Sequence, residues 1–300
     1  MQALVTGATG FVGRRLLAEL DAPHVLSRNA ESAAELAEQY GGRVFEWRRP
    51  AEDPPPGEAF DGVDTVFHLA GDPVASGRWN AEKKERILAS RRLGTRNLVA
   101  AIGSLEDRPR TFISASAVGF YGDRGDEELA ESSAPQPNNF LSQVCQVWED
   151  EARRGEEFGL RVASIRIGIV LGRGGGALSK MAPPIRCFVG GRLGNGRQWM
   201  PWIHVDDLVR LFLHAAALGA APTYNGSAPN PLRNSDFTRQ LGKQLNRPTV
   251  FPAPGFALKL AVGEFGGALL ESQRALPRAA LDEGFEFKFP HLAEALADIL

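Results

Sequence analysis

The chain has 300 residues, with 34 basic against 36 acidic side chains and two cysteines, enough for one large α/β domain or two lobes around a sizeable core. Its basic pairs, Arg14-Arg15, Arg48-Arg49, Arg91-Arg92 and Arg153-Arg154, are scattered, so no basic block is available to track a nucleic-acid backbone. Cys145 and Cys187 form no CxxC spacing and have no histidine cluster beside them, which argues against a disulfide framework and against a metal site.

Strand-like runs then alternate with helical ones. "ALVTG" comes first, followed by a helix from about Phe11 to Leu20, "HVLSR", a helix through "ESAAELAEQY", and "RVFEW". The loop "PAEDPPPGEAFDG" precedes "TVFHLAG", a helix through "KKERILASRRLGTRNLVAAI", "TFISAS", a helix over "FLSQVCQVWE" and one long strand, "RVASIRIGIVLG". Strands that are apolar throughout and alternate with helices predict the α/β class, a Rossmann-type doubly wound parallel sheet covered on both faces. After Leu171 the rhythm loosens into "GRGGGALSK", "GGRLGNG" and "NGSAPNPLRN". Residues 1–171 are therefore expected to form the cofactor domain, with 202–226 returning to it, "WIHVDDLVRLFLHAAALG" as a helix. A smaller C-terminal substrate lobe is expected over 172–201 and 227–300. No apolar run approaches the roughly 18 residues of a membrane span and no leader pattern opens the chain, so the expectation is a cytoplasmic protein without a membrane partner.

"GATGFVG", residues 7–13, follows the first strand and opens a helix. Its glycines permit a tight turn, close approach to a pyrophosphate and close helix packing, and the βαβ context is the one this motif requires. Gly7, Thr9, Gly10, Phe11, Val12 and Gly13 are expected to bind a dinucleotide. At the end of the second strand an acid would bind a ribose hydroxyl, whereas a cation accommodates a 2′-phosphate. The chain has Ser27 and Arg28 there, which favours NADP(H) over NAD(H).

With these motifs, "HLAG" at 68–71, "SASAVGFYG" at 114–122 and "WIHVDD" at 202–207, the chain resembles an extended or atypical short-chain dehydrogenase/reductase. More narrowly, "GRW" at 77–79, "SRRLGTRNL" at 90–98, "VLGRGGGAL" at 170–178, "NGSAPNPLRNSDF" at 225–237 and the tail "LPRAALDEGFEFKFPHLAEAL" resemble the group commonly labelled epimerase-like. The resemblance covers essentially the whole chain. It implies a Rossmann-type domain with a small substrate lobe and places Leu69, Ala70 and Gly71 along the cofactor. In typical members a Tyr-x-x-x-Lys helix supplies the proton donor and the cation that tunes it and holds the nicotinamide ribose. Counted from Ser116, those positions are Leu141 and Cys145 here. Leucine has no proton to give, and a thiol lacks the lysine's charge.

Substitutes are open. Ser116 is expected to orient a substrate oxygen, and Tyr121 is the first candidate donor if a neighbouring arginine lowers its pKa; it could equally pack over the nicotinamide or the loop. Cys145 reads more readily as a small buried hydrophobe than as a reactive group. His204 could titrate or simply hydrogen-bond before a helix, and the adjacent Asp206 and Asp207 point to different faces, against a metal. Nucleotide-sugar epimerases carry a diphosphate-clamping arginine where Met200 stands; Arg197 is the possible replacement. Arg78, Trp79, Arg91 and Trp202 complete the candidate substrate contacts, and arginine beside tryptophan suits an anionic, partly apolar or planar ligand. Three readings follow: an NADP(H)-dependent oxidoreductase or epimerase-type enzyme on a small anionic substrate, a non-catalytic NADP(H) sensor, and, third, a nucleotide-sugar epimerase. Nothing in the sequence sets the oligomeric state.

Overall fold

The computed structural model describes residues 1–217 and 221–300. Its first half runs β1 (Ala3–Thr6), α1 (Phe11–Leu17), β2 (His24–Ser27), α2 (Ala30–Glu38), β3 (Arg43–Glu46), β4 (Thr65–His68), α3 (Ala81–Gly103), β5 (Thr111–Ala117), β6 (Glu128–Leu129), α4 (Phe140–Arg153) and β7 (Arg161–Ile167). Asparagine starts three of these helices: the side chains of Asn29, Asn80 and Asn139 accept from the backbone N–H three residues on, satisfying a donor the helix leaves open.

The second half continues with β8 (Ile169–Gly172), β9 (Gly175–Gly176), α5 (Leu178–Arg186), β10 (Trp199–Met200), β11 (Trp202–His204), α6 (Val205–Ala217) and β12 (Thr223–Gly226). After these come β13 (Leu232–Arg233), α7 (Asn234–Gln244), α8 (Gly255–Val262), α9 (Phe265–Ala268), β14 (Arg274–Ala275), α10 (Arg278–Asp282) and α11 (Leu292–Ile299).

Seven strands form one parallel sheet in the order β12-β7-β5-β4-β1-β2-β3. Successive side chains of a strand point to opposite faces, and here both faces are apolar. Phe67, Ile113 and Ile165 join Leu16, Leu208 and Phe212 on one side; Leu4, Val66 and Phe112 join Leu98 and Ile102 on the other. The doubly wound α/β architecture read from the sequence is the one observed. Strand order reverses between β1 and β4, the position at which such sheets open a crevice for ligands.

Two elements differ from expectation. The long strand "RVASIRIGIVLG" breaks at Gly168, where a Cβ would stand 2.1 Å from the Pro201 carbonyl oxygen. The backbone crosses that carbonyl closely and β8 leaves for a separate small sheet with β9 and β11. Likewise "WIHVDDLVRLFLHAAALG" is a strand, Trp202–His204, before it is a helix, and its residues 218 and 219 lie outside the described residues. Trp202 packs in a third core with Leu178, Phe237, Phe289 and Leu292, whereas α6 and β12 belong to the main sheet and its core. The tail is tied back: the buried Asp207 carboxylate accepts from the backbone N–H groups of Lys288 and Phe289, each at 2.8 Å. Ala280 and Phe285 also enter the main core.

Candidate functional site

A cleft of about 600 Å³ lies along the carboxyl ends of the strands flanking the reversal. Gly7 turns the chain out of β1 with φ +73°, and a Cβ there would stand 2.8 Å from the Leu69 carbonyl carbon. One at Gly13 would meet the Gly7 carbonyl oxygen at 2.3 Å, so no larger residue fits either place. This is a cradle in which backbone, not side chain, faces a ligand, and it fits a dinucleotide's diphosphate. Gly7, Thr9, Gly10, Ser27, Arg28, Leu69, Ala70 and Gly71 all line the cleft. Phe11 and Val12 do not present side chains to it. The Phe11 ring packs against Gly172, Gly175 and Gly176, and Val12 joins the main core, leaving only their backbone for a ligand.

The end of the cleft at which the sequence reading expects the adenosine gathers more cations than the sequence indicated. Ser27 Oγ donates to the Asn29 carbonyl at 2.8 Å, and Arg28 is exposed with no ion pair among the described residues. The parallel register pairs Ser27 with Glu46, so the residues after β3 come up beside those after β2. Arg48 and Arg49 consequently line the same cleft, Arg48 paired with Glu46 at 2.8 Å and Arg49 with Glu52 at 2.8 Å.

Behind the cleft lies a buried polar network that absorbs both expected catalytic groups. Ser116 is 2 % exposed and its Oγ donates to Glu149 Oε1 at 2.6 Å; at this end of β5 the half-exposed residue is Ala117. Glu149 also accepts from Arg166 Nε and Nη2, both at 2.9 Å. Arg166 Nη1 donates to Tyr121 Oη at 3.0 Å, and Tyr121 donates to Asn225 Oδ1 at 2.7 Å. Arg166 is the neighbouring arginine that the sequence reading required, and it does favour the phenolate. Burial acts more strongly and pushes Tyr121 up to about 12, so a fully buried phenol whose proton is already engaged replaces the expected donor. Cys145 is likewise pushed up to about 12, by burial first and then by the Glu149 charge, and packs with Val118 and Leu129.

His68, fully buried at the end of β4, is held near 3 by burial and then by the Arg91 charge. Thr6 Oγ1 stands 2.7 Å from its Nδ1 and Thr95 Oγ1 2.9 Å from its Nε2. It is a neutral strut rather than an acid or base.

The expected substrate contacts are dispersed. Arg78 and Arg197 are exposed. Trp79 is wedged between Phe140 and Phe265, with ring centroids 5.4 Å and 5.3 Å away, so it clasps the first helical turns to α9. Trp202 is completely buried, donating to the Asn230 carbonyl at 3.1 Å. His204 is 2 % exposed, tilted against Phe289 with ring centroids 4.0 Å apart, and pushed below its ordinary pKa by burial. Its Nε2 lies 3.4 Å from Asp298 in a geometry that makes no hydrogen bond. Both Trp202 and His204 are thus packing residues of the C-terminal part, because β11 pairs with β8 and turns inward. Arg91 alone of this set stands directly beside a cleft-lining residue, with its guanidinium against Gly71. Asp72, unremarked in the sequence, lines the cleft and pairs with the buried Lys83 at 2.8 Å. Among the described residues no group of His, Cys, Asp or Glu is arranged to hold a metal, and no helix is long and apolar enough to cross a membrane.

Known proteins match along the whole chain. A chloroplastic epimerase family protein SDR39U1 homologue of Arabidopsis thaliana is 41 % identical over 312 residues, covering 100 % of this chain and 87 % of that one. Epimerase family protein YfhF of Bacillus subtilis is 35 % identical, covering 100 % and 98 %. The crystal structure of human epimerase family protein SDR39U1 with NADPH superposes with a TM-score of 0.87 at 31 % identity, covering 100 % and 99 %. UDP-glucuronic acid 4-epimerase of Bacillus cereus, at 17 % identity and a TM-score of 0.77, shares the fold. Residues 253–299 match a domain of unknown function, DUF1731. The match to the other family model, from residue 3 to residue 225, reaches from the first strand of the main sheet to its last, and the chain belongs to the NAD dependent epimerase/dehydratase family.

Proposed function

We propose that the protein is an NADP(H)-dependent oxidoreductase or epimerase-type enzyme acting on a small anionic substrate without the tyrosine–lysine pair. Arg28 carries the cofactor choice: an exposed guanidinium without an ion pair among the described residues, beside Ser27, Arg48 and Arg49, where the adenosine would lie. A cation there attracts a 2′-phosphate that an acid would repel. The human relative crystallised with NADPH supports the same choice. The Gly7 turn would hold the diphosphate, and Leu69 to Gly71 would follow the reactive half. The nicotinamide, when bound, supplies or accepts a hydride. Around that half the chain offers Asp72 with Lys83 as ionisable groups, and Arg86 as a cleft-lining cation that suits a negatively charged substrate. We place the protein in the cytoplasm, where its two unpaired cysteines would stay reduced.

A second reading has its own support. Leucine at 141, a thiol held near 12, and a serine and tyrosine engaged internally suit an NADP(H) sensor that transfers nothing. NADPH deuterated at the transferable position, incubated with the protein and a small-molecule cell extract, separates the two. Label arriving in one metabolite, dependent on the protein, is the expected result. Tight NADPH binding with no transfer would displace the reductase reading in favour of the sensor, or of an epimerase that returns its hydride.

A further inference from the structure

The large apolar side chains left open to solvent are gathered rather than scattered. Of the ten among the described residues, six fall in three short stretches: Phe188 and Val189, Val250 and Phe251, Phe256 and Leu260, each between 51 % and 76 % exposed. The first two stretches lie side by side. Gly191 bridges Val250 in antiparallel fashion, the Ala253 N–H donates to the Arg192 carbonyl at 2.9 Å, and the Arg247 guanidinium stands 4.7 Å from the Phe188 ring centroid. α8 follows at once, and none of its described residues is buried. Phe256 and Leu260, four residues apart, share one of its sides.

The same stretches carry charge of one sign. Residues 178–205 and 237–263 hold no aspartate or glutamate but eight lysines and arginines, in a chain whose formal net charge is −2. All eight are exposed, and only Arg239 makes an ion pair among the described residues. The flanking acids are engaged, Asp236 by Arg239 and Glu264 by Lys84. Arg247 Nε donates to the Arg186 carbonyl at 3.4 Å, and a Cβ on Gly242 would stand 2.4 Å from Thr249 Cγ2, which sets Arg186 and Lys243 beside the apolar strip. With Lys259 on α8, unpaired cations stand among projecting apolar groups.

This combination narrows the occupant. In a twofold dimer the patch meets its own copy, so unpaired cations would face unpaired cations and repel. A protein partner would need a pocket for each projecting side chain, and lysine is depleted from such interfaces. A bilayer interface accepts projecting apolar groups at any spacing and, where its lipids are anionic, as in a cytoplasmic leaflet, attracts the cations around them. The lack of a spanning helix among the described residues excludes passage through the bilayer, not a face laid upon it. We propose that this face docks on an anionic phospholipid surface, with Phe188, Phe251, Phe256 and Leu260 entering the headgroup region and the cations beside them meeting lipid phosphates.

The test is co-sedimentation of the full chain with vesicles of phosphatidylcholine alone and of phosphatidylcholine with about one-third phosphatidylglycerol. Binding to the anionic vesicles alone, weakening as salt rises, is the expected result. Lys243→Glu with Lys259→Glu should weaken it about twentyfold or more. Phe256→Ser with Leu260→Ser should weaken it about tenfold or more. Arg108→Glu with Arg110→Glu makes the same charge change at two exposed positions before β5 and should stay within about twofold of wild type. Circular dichroism and melting temperature confirm that each variant folds; should one double variant fail, its two single substitutions replace it.

A wild-type chain that ignores the anionic vesicles overturns the inference and leaves an acidic protein as the better occupant. Equal binding to both vesicle types removes the cations from it, and a serine variant that binds like wild type removes the apolar groups; either result overturns docking as stated. A loss in the Arg108 and Arg110 variant as large as that at Lys243 and Lys259 would mean that net charge, not this face, governs adsorption. A dimer in analytical ultracentrifugation that the serine variant dissolves would give the face to a second copy instead.

Discussion

Arg28 and Arg48 come from segments twenty residues apart, yet they line one end of one cleft. The first was legible because a spacing rule points to the residue after the second strand. The second was not, because only the register of β2 on β3 brings it there. Arg28→Ala is expected to weaken NADPH about tenfold or more, the scale of one charge-assisted hydrogen bond, while NADH changes little; equal effects on both cofactors, read by calorimetry, would remove Arg28 from the phosphate. Ser116 illustrates a different blind spot. Neighbouring residues of a strand face opposite sides, so a position wrong by one turns a side chain away from its target. The sequence gives a serine at the end of β5 without saying that its Oγ faces Glu149 on α4.

At the scale of elements, α4 is fastened to the sheet by charge. Glu149 and Arg166, with side chains 2 % and 5 % exposed, pair through two contacts of 2.9 Å, and the guanidinium lies 3.4 Å from the Phe120 ring centroid. A buried pair is weak evidence of net stabilisation, but removing one partner leaves the other stranded. Arg166→Met should cost about 3–5 kcal/mol in urea unfolding, and adding Glu149→Met should restore a good part of it. Loss of the same size in both variants would show that packing, not the stranded carboxylate, sets the cost. The helical character of 140–149 was plain from its apolar spacing. Its attachment was not, since Arg166 reads as an ordinary strand residue until the sheet places it opposite Glu149. The break at Gly168 was hidden for a similar reason: its cause is the Pro201 carbonyl, 33 residues further along the chain.

For the molecule as a whole, His68 links stability to pH. Its folded pKa, near 3, lies below the roughly 6.5 of an unfolded histidine, so between these values the unfolded chain binds a proton that the fold refuses. The stabilisation is complete above about pH 6.5 and is lost as pH falls toward 3, by up to about 1.4 kcal/mol per pH unit. Unfolding free energies measured from pH 7.5 down to 5 should fall less steeply in His68→Asn than in the wild type; parallel slopes would rule the histidine out. The parallel sheet itself was readable from apolar strands alternating with helices. The return of the tail was not, because it depends on Asp207 meeting two N–H groups some eighty residues away. That return also orders events during synthesis. Ala280 and Phe285 complete the core beneath the main sheet, and β12 closes its edge, so a ribosome that has made only the first 200 residues holds a sheet lacking one edge strand and part of its floor. The nascent chain must wait for its last segment before the core of the main sheet can close, and a chaperone that shields exposed apolar surface would meet it during that interval.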